Sequence, residues 1–224
     1  ISEDSLATCP FETLDEQEQA TEAFFAGRPV LIEQGVVPAQ WSTIAVPNKY
    51  PAFSPVVSPR TLITGPYQSV EGVGFHEVII TKDHARDIPQ FSIAQVKELI
   101  DLYQARYITL SKEEFVSYIS IFKNKGPTAG ATIAHPHSQL IATPITSVDI
   151  WSSLKGSRKY FAEYQKCVHC EMLQWDIKEK KRIIFENDAF IVLCPFASRV
   201  AFEVRVYPKE HLSHFEQATE RQKE

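Results

Sequence analysis

The chain has 224 residues, 44% of them hydrophobic, 23% charged and 11% aromatic, which excludes a collagen-like chain, a disordered tail and a disulfide-dense miniprotein. This length carries one large domain or two small ones with a real core. The formal net charge of -5 argues against bulk electrostatic binding to nucleic acid or anionic membranes, while leaving room for a local basic pocket. No apolar run approaches the ~20 residues that span a bilayer. The opening Ile1-Ser2-Glu3-Asp4 lacks the basic and apolar regions of a signal peptide, so a cytoplasmic location is the expectation. Four cysteines, two of them three apart, suit metal ligation in a reducing compartment better than a disulfide framework. A start without Met and an end inside a charged stretch lead us to expect part of a longer protein.

In chain order, Trp41–Val46 reads as a strand entering the turn-rich Pro47-Asn48-Lys49-Tyr50-Pro51. His76–Thr81 is a compact β-branched strand. Ser92 caps a helix with Gln95 three residues on, and Ile93, Val96, Leu99, Ile100, Tyr103 and Tyr107 follow at helical spacing. Phe115–Phe122 and the longer Ala131–Ala142 are further strands. Asp149–Lys166 is an amphipathic helical connector; Arg182–Glu186, Phe190–Leu193 and Phe202–Tyr207 are strands; Glu216–Glu224 is the solvated face of a helix. Strands broken by one long helix predict an α+β fold with a mainly antiparallel sheet and flanking helices.

An internal echo organises these pieces. Glu77-Val78 runs through a short strand to Lys82-Asp83-His84, and Glu203-Val204 runs through another to Lys209-Glu210-His211. Upstream, Val46–Tyr50 is loosely echoed by Phe185–Ala189, and Cys9-Pro10-Phe11-Glu12 stands where Cys167-Val168-His169-Cys170 stands later. Three matches in one order predict duplicated halves: a first domain over 1–150, a connector over 151–166 and a partial second copy over 167–224.

The chemistry concentrates in His135-Pro136-His137-Ser138-Gln139. In an extended segment side chains alternate, so His135, His137 and Gln139 share a face, and Pro136 denies the strand one amide donor. Alone, such a motif also fits a polar strand face or a structural metal pair. Just upstream, Phe122-Lys123-Asn124-Lys125-Gly126 offers an amide, two cations and flexible backbone suited to phosphate oxygens. No phosphate-binding loop of the Gly-x-x-x-x-Gly-Lys type is present, and Gly72-Val73-Gly74 lacks the third glycine of a dinucleotide fingerprint. Cys167-x-x-Cys170 with His211 in register with His84 reads as a zinc cluster, with redox and structural alternatives for the cysteine pair alone. The duplication predicts a fourth ligand beyond Glu224, with His169 or His214 as substitutes. Cys194 reads as a packed strand end, and Trp41, Trp151 and Trp175 as core or interface residues.

Together Asn48, Gly74-x-His76-Glu77-Val78, Lys82-Asp83-His84, Phe122-x-Asn124-x-Gly126 and His135-Pro136-His137-Ser138-Gln139 resemble the galactose-1-phosphate uridylyltransferase family, a branch of the histidine-triad superfamily that includes ADP-glucose phosphorylase. The resemblance covers nearly the whole chain and implies a duplicated histidine-triad-like fold, with the second half truncated here. It implies nucleotidyl transfer from a nucleotide sugar to a sugar phosphate by a ping-pong route, with His137 as nucleophile and Gln139 donating to the phosphoryl oxygens. Uridylyl transfer onto a hexose 1-phosphate leads, followed by phosphorolysis of ADP-glucose or a dinucleotide. Asn48, His76, Asn124, Gly126 and Ser138 match substrate-binding positions. His135, His84 and Cys9 match zinc ligands, but Glu12 stands where a second cysteine would. Glu12 either ligates through oxygen or is a surface carboxylate, and both readings stay open. The missing thiolate keeps a zinc-stabilised binding module or inactive relative in view. Family members are often dimers, so the resemblance also allows a homodimer.

Overall fold

A computed structural model describes residues 9–14, 19–55 and 60–223. Ile1–Asp4 and the final Glu224, both used above, lie outside the described residues. The chain divides into two compact units between Ile145 and Thr146.

The first unit contains β1 (Glu22–Phe25), β2 (Arg28–Pro29), β3 (Thr43–Pro47), β4 (Thr61–Thr64), β5 (Tyr67–Val70), β6 (Phe75–Thr81), α1 (Ile93–Leu110), β7 (Tyr118–Phe122) and β8 (His137–Thr143). Six strands form one sheet in the order β2-β1-β3-β6-β8-β7, antiparallel throughout. β4 and β5 make a separate hairpin. The fold is α+β, as expected, and the central strands β3, β6 and β8 explain why. β3 and β6 are rich in β-branched or apolar residues and buried on both faces, so each needs a layer on either side, while β8 alternates half-buried and buried positions.

One layer is α1. Its start matches the sequence reading: Ser92 Oγ accepts the Gln95 amide and the Gln95 side chain accepts the Ser92 amide. Leu99, Leu102 and Leu110 pack on Phe24, Ala45, Ile79, Ile119, Leu140 and Ala142. The helix's buried face overlaps the one drawn from apolar spacing, since Leu99 is in the core and Tyr103 and Tyr107 pack against it, but Glu98 and Arg106 also point inward while Ile93 is exposed. Glu98 accepts from Ser42, Thr43 and the Gly27 amide, tying the helix to the sheet edge. Arg106 makes a two-pronged pair with Glu77 of β6 at 2.8 and 2.6 Å. The opposite sheet face is covered by Ala20, Ala23, Trp41, Ile44, Val46, Val78 and Ile80, with Phe11 and Leu14 against them.

Several strand limits differ from expectation for identifiable reasons. The extended run expected from Ala131 becomes a strand only at His137, because a short 3-10 turn (Pro127–Ala129) and Pro136 leave the preceding backbone without ladder partners. Phe115–Phe122 shortens to β7, and the hairpins β1–β2 and β4–β5 were not anticipated.

The second unit holds α2 (Val148–Tyr164), α3 (Val168–Glu179), a three-stranded antiparallel sheet of β9 (Ile183–Glu186), β10 (Phe190–Leu193) and β11 (Arg205–Pro208), and the short α4 (Glu220–Lys223). The segment expected as a helical connector is α2, grouped with this unit. β11 begins later than expected because Phe202 takes a left-handed turn (φ 61). Glu216–Glu224 is not one continuous helix: a 3-10 turn over Phe215–Gln217 precedes α4, and Lys223 is buried. Among the described residues no helix is long and apolar enough to cross a membrane.

Candidate active site and metal clusters

β8 sorts its side chains by the two-residue period of a strand. Leu140 and Ala142 enter the core under α1, and Ser138 goes with them. Its hydroxyl is 2.5 Å from the Tyr103 hydroxyl of α1, and the residue is almost fully buried. The Ser138 side chain thus faces away from those of its neighbours His137 and Gln139. Burial pushes the Tyr103 phenol up to about 12, so it stays a neutral partner for Ser138.

His137 and Gln139 lie on the other face. His137 Nδ1–H donates to the His135 carbonyl at 2.9 Å, which leaves Nε2 with a free lone pair. Burial lowers the His137 pKa; the carbonyl contact opposes that and the Lys123 charge adds to it, so the neutral ring is favoured. Lys123 Nζ donates to the His137 carbonyl at 3.2 Å and pairs with the buried Asp87, which also pairs with Lys125. A cavity of about 230 Å³ opens here, lined by His137, Asn124, Gly126, Lys123 and Lys125. Asp87 was missed in the sequence; its cue, in hindsight, is the Asp-Ile-Pro-Gln cap it forms with Gln90.

Gln139 Oε1 lies 2.8 Å from His76 Nε2 on β6, and Asn48 Nδ2 lies 3.1 Å from the same nitrogen. β6 starts beside Gly74, where a Cβ would sit 2.3 Å from the Ala142 carbonyl, so only glycine lets β6 approach β8 this closely. His137, Gln139, His76 and Asn48 are thus brought together across three neighbouring strands. Asn124 and Gly126 reach His137 through the cavity.

His135 stands just outside β8 and enters a separate cluster. Its Nε2–H donates to the Thr81 carbonyl at 2.7 Å, so Nδ1 is the lone pair. That Nδ1 is 3.1 Å from His84 Nδ1, 3.4 Å from Glu12 Oε1 and 3.6 Å from Cys9 Sγ, while Glu12 Oε1 is 3.0 Å from His84 Nδ1. Cys9, His84 and His135 thus converge closely enough to serve one metal ion, and Glu12 Oε1 touches the two histidines of that set without joining its cysteine. In the second unit Cys167, Cys170 and His211 converge, with Cys170 Sγ 3.1 Å from His211 Nδ1. Cys167 caps α3. Burial opposes its ionisation, but the Cys170 and His169 groups at the helix start bring its thiol below the ordinary range. His169 and His214 are not in this cluster: they contact Ser157 and Ser213. His84 thus stands with Cys9 and His135, and His211 with Cys167 and Cys170.

Residues 8–146 match the family model described as galactose-1-phosphate uridyl transferase, N-terminal domain. The chain belongs to this family. It is 33% identical over 187 residues to a galactose-1-phosphate uridylyltransferase of Thermotoga maritima, covering 83% of this chain and 58% of the relative. It is 32% identical over 215 residues to an ADP-glucose phosphorylase of Arabidopsis thaliana, covering 93% and 57%. A crystal structure of an ADP-glucose phosphorylase from Arabidopsis thaliana with bound ADP-glucose superposes with a TM-score of 0.75 at 28% identity, over 96% of this chain and 64% of that one. The chain therefore spans somewhat over half the length of the curated relatives it matches.

Proposed function

We propose that this chain carries the nucleotidyl-transfer site of a nucleotide-sugar enzyme, with UDP-glucose as leading donor and a hexose 1-phosphate as acceptor. His137 Nε2 attacks the α-phosphorus of the donor; a P–N bond forms while the P–O bond to the sugar phosphate breaks, and sugar 1-phosphate leaves. In the second step an oxygen of the acceptor's phosphate takes the nucleotidyl group and returns the free imidazole. Gln139, Asn124 and the Gly126 turn donate to phosphoryl oxygens, and Lys123 and Lys125 supply opposite charge. The observation that carries this reading is the single free ring nitrogen of His137, left over by its bond to the His135 carbonyl, at the mouth of a cavity with two lysines.

A phosphorylase acting on ADP-glucose or a dinucleotide is the second reading, favoured by the 93% coverage in the match to the phosphorylase relative. We further propose zinc at both clusters. Its chemistry there is to hold ligands in place. Cys9, Glu12 and His84 would fix His135, whose carbonyl in turn fixes the His137 tautomer. Free thiols in such clusters suit a reducing, cytoplasmic compartment.

The test is incubation of the full chain with donors labelled at the α-phosphate, UDP-glucose and ADP-glucose in parallel, followed by denaturation. Acid-labile label that is stable to alkali and lost in His137→Gly is expected, and the donor that labels identifies the base. If neither donor nor a dinucleotide labels a folded chain, the transfer reading fails and a zinc-stabilised binding module takes its place.

A further inference from the structure

His76 has two fixed neighbours that decide where its proton sits. The backbone N–H of Ala52 points at Nδ1 from 3.1 Å, and a backbone amide can only donate, so Nδ1 must hold the lone pair. In the neutral ring the proton is therefore on Nε2, and it is donated to Gln139 Oε1 at 2.8 Å. An amide whose oxygen is held this way must turn its NH2 to the other side. Register makes the contact possible: His76 pairs with Ile141 and Val78 with Gln139, so His76 and Gln139 are diagonal neighbours within reach of long side chains.

Asn48 obeys the same proton. Its Oδ1 accepts the Tyr50 N–H at 2.9 Å, which fixes the NH2 on the side of His76. His76 Nε2, already a donor, cannot accept from it although the two nitrogens are 3.1 Å apart. The Asn48 NH2 therefore finds no acceptor on the His76 ring.

We propose that His76 is a positioning residue rather than a group that binds substrate. Its Nε2–H locks the Gln139 amide with NH2 outward, toward the phosphoryl group that His137 would carry. This inference rests on the transfer reading for its purpose but on Ala52, Tyr50 and Gln139 for its geometry. The proton on Nε2 gives the site one oriented amide donor, that of Gln139; the other tautomer would clash with Ala52 and turn the Gln139 oxygen, a repulsive group, toward phosphate.

Two measurements test it on the full chain. The first needs no substrate: long-range ¹H–¹⁵N correlation at neutral pH is expected to show His76 with its proton on Nε2, and a proton on Nδ1 would overturn the proposal. The second uses whichever labelled nucleotide sugar the parent chain accepts. His76→Phe, which keeps ring volume but removes the donor, is expected to slow labelling by about ten- to a hundredfold with a much smaller change in KM. His76→Gln, which retains an N–H donor, is expected to recover part of the rate. In a Gln139→Ala background His76→Phe should cost nothing further, because the amide it positions is gone; an equal loss in both backgrounds would sink the idea. A parent chain that takes no label defeats the transfer reading, and the tautomer alone then decides the positioning role.

Discussion

Removing the Arg106 guanidinium isolates one buried charge and tests how β6 is held. Arg106 and Glu77 are each less than a tenth exposed, and two hydrogen bonds of 2.8 and 2.6 Å join them. Arg106→Met keeps most of the side-chain volume but leaves the Glu77 carboxylate under α1 with no cation. Glu22, whose pKa burial already raises, loses the same offsetting charge. Breaking one side of a buried pair costs about 3–5 kcal/mol, whereas replacing both partners by apolar groups is near neutral. Against a total of about 5–15 kcal/mol the single variant sits near the edge of folding. Urea unfolding can be read in this unit alone: Trp41 is buried in it, while Trp151 and Trp175 lie exposed in the other and can be changed to Phe. The expected result is a fall of about 3–5 kcal/mol for Arg106→Met and recovery of most of it in Arg106→Met with Glu77→Met. A double variant no more stable than the single, or a single variant losing under about 1 kcal/mol, would refute the view that an unpaired charge is what costs.

Other expectations follow from the same geometry. Burial pushes the Asp87 carboxyl up, but the Ile88 amide, Lys123 and Lys125 bring it below the usual carboxylate value, so its contribution is present above the unfolded pKa and lost as pH falls through the folded one. Asp87→Asn should therefore destabilise at pH 7 and match the parent once the Asp87 carboxyl is protonated in both the folded and the unfolded state, as read by urea midpoints across an acid series. Ser138→Ala leaves the buried Tyr103 hydroxyl unpaired and should cost about 1–3 kcal/mol, with labelling per folded molecule at the parent rate. A rate loss beyond the unfolded fraction would return the hydroxyl to the substrate side. Metal analysis of the purified chain should show zinc that Cys9→Ser and Cys167→Ser each reduce by about one equivalent. Glu12→Gln should weaken retention against a chelator at the first cluster only, and unchanged retention would remove Glu12 from the ligand set.

The sequence by itself determined what depends on backbone period and local chemistry. A strand repeats every two residues, so His137 and Gln139 had to share a face; Ser92 and Gln95 could close their cap without help from the rest of the chain. The same period puts Ser138 on the opposite face, beside Tyr103. Tertiary structure alone decided the rest. Cys9 and His135 stand 126 positions apart and meet only because strand order and register fold their loops together. Glu98 and Arg106 look like surface charges until the donors of Ser42 and Thr43, and the carboxylate of Glu77, are placed beneath the helix. The proton on His76 is the finest case: Ala52 dictates it through one backbone N–H, and local pattern cannot encode which donor will face a ring.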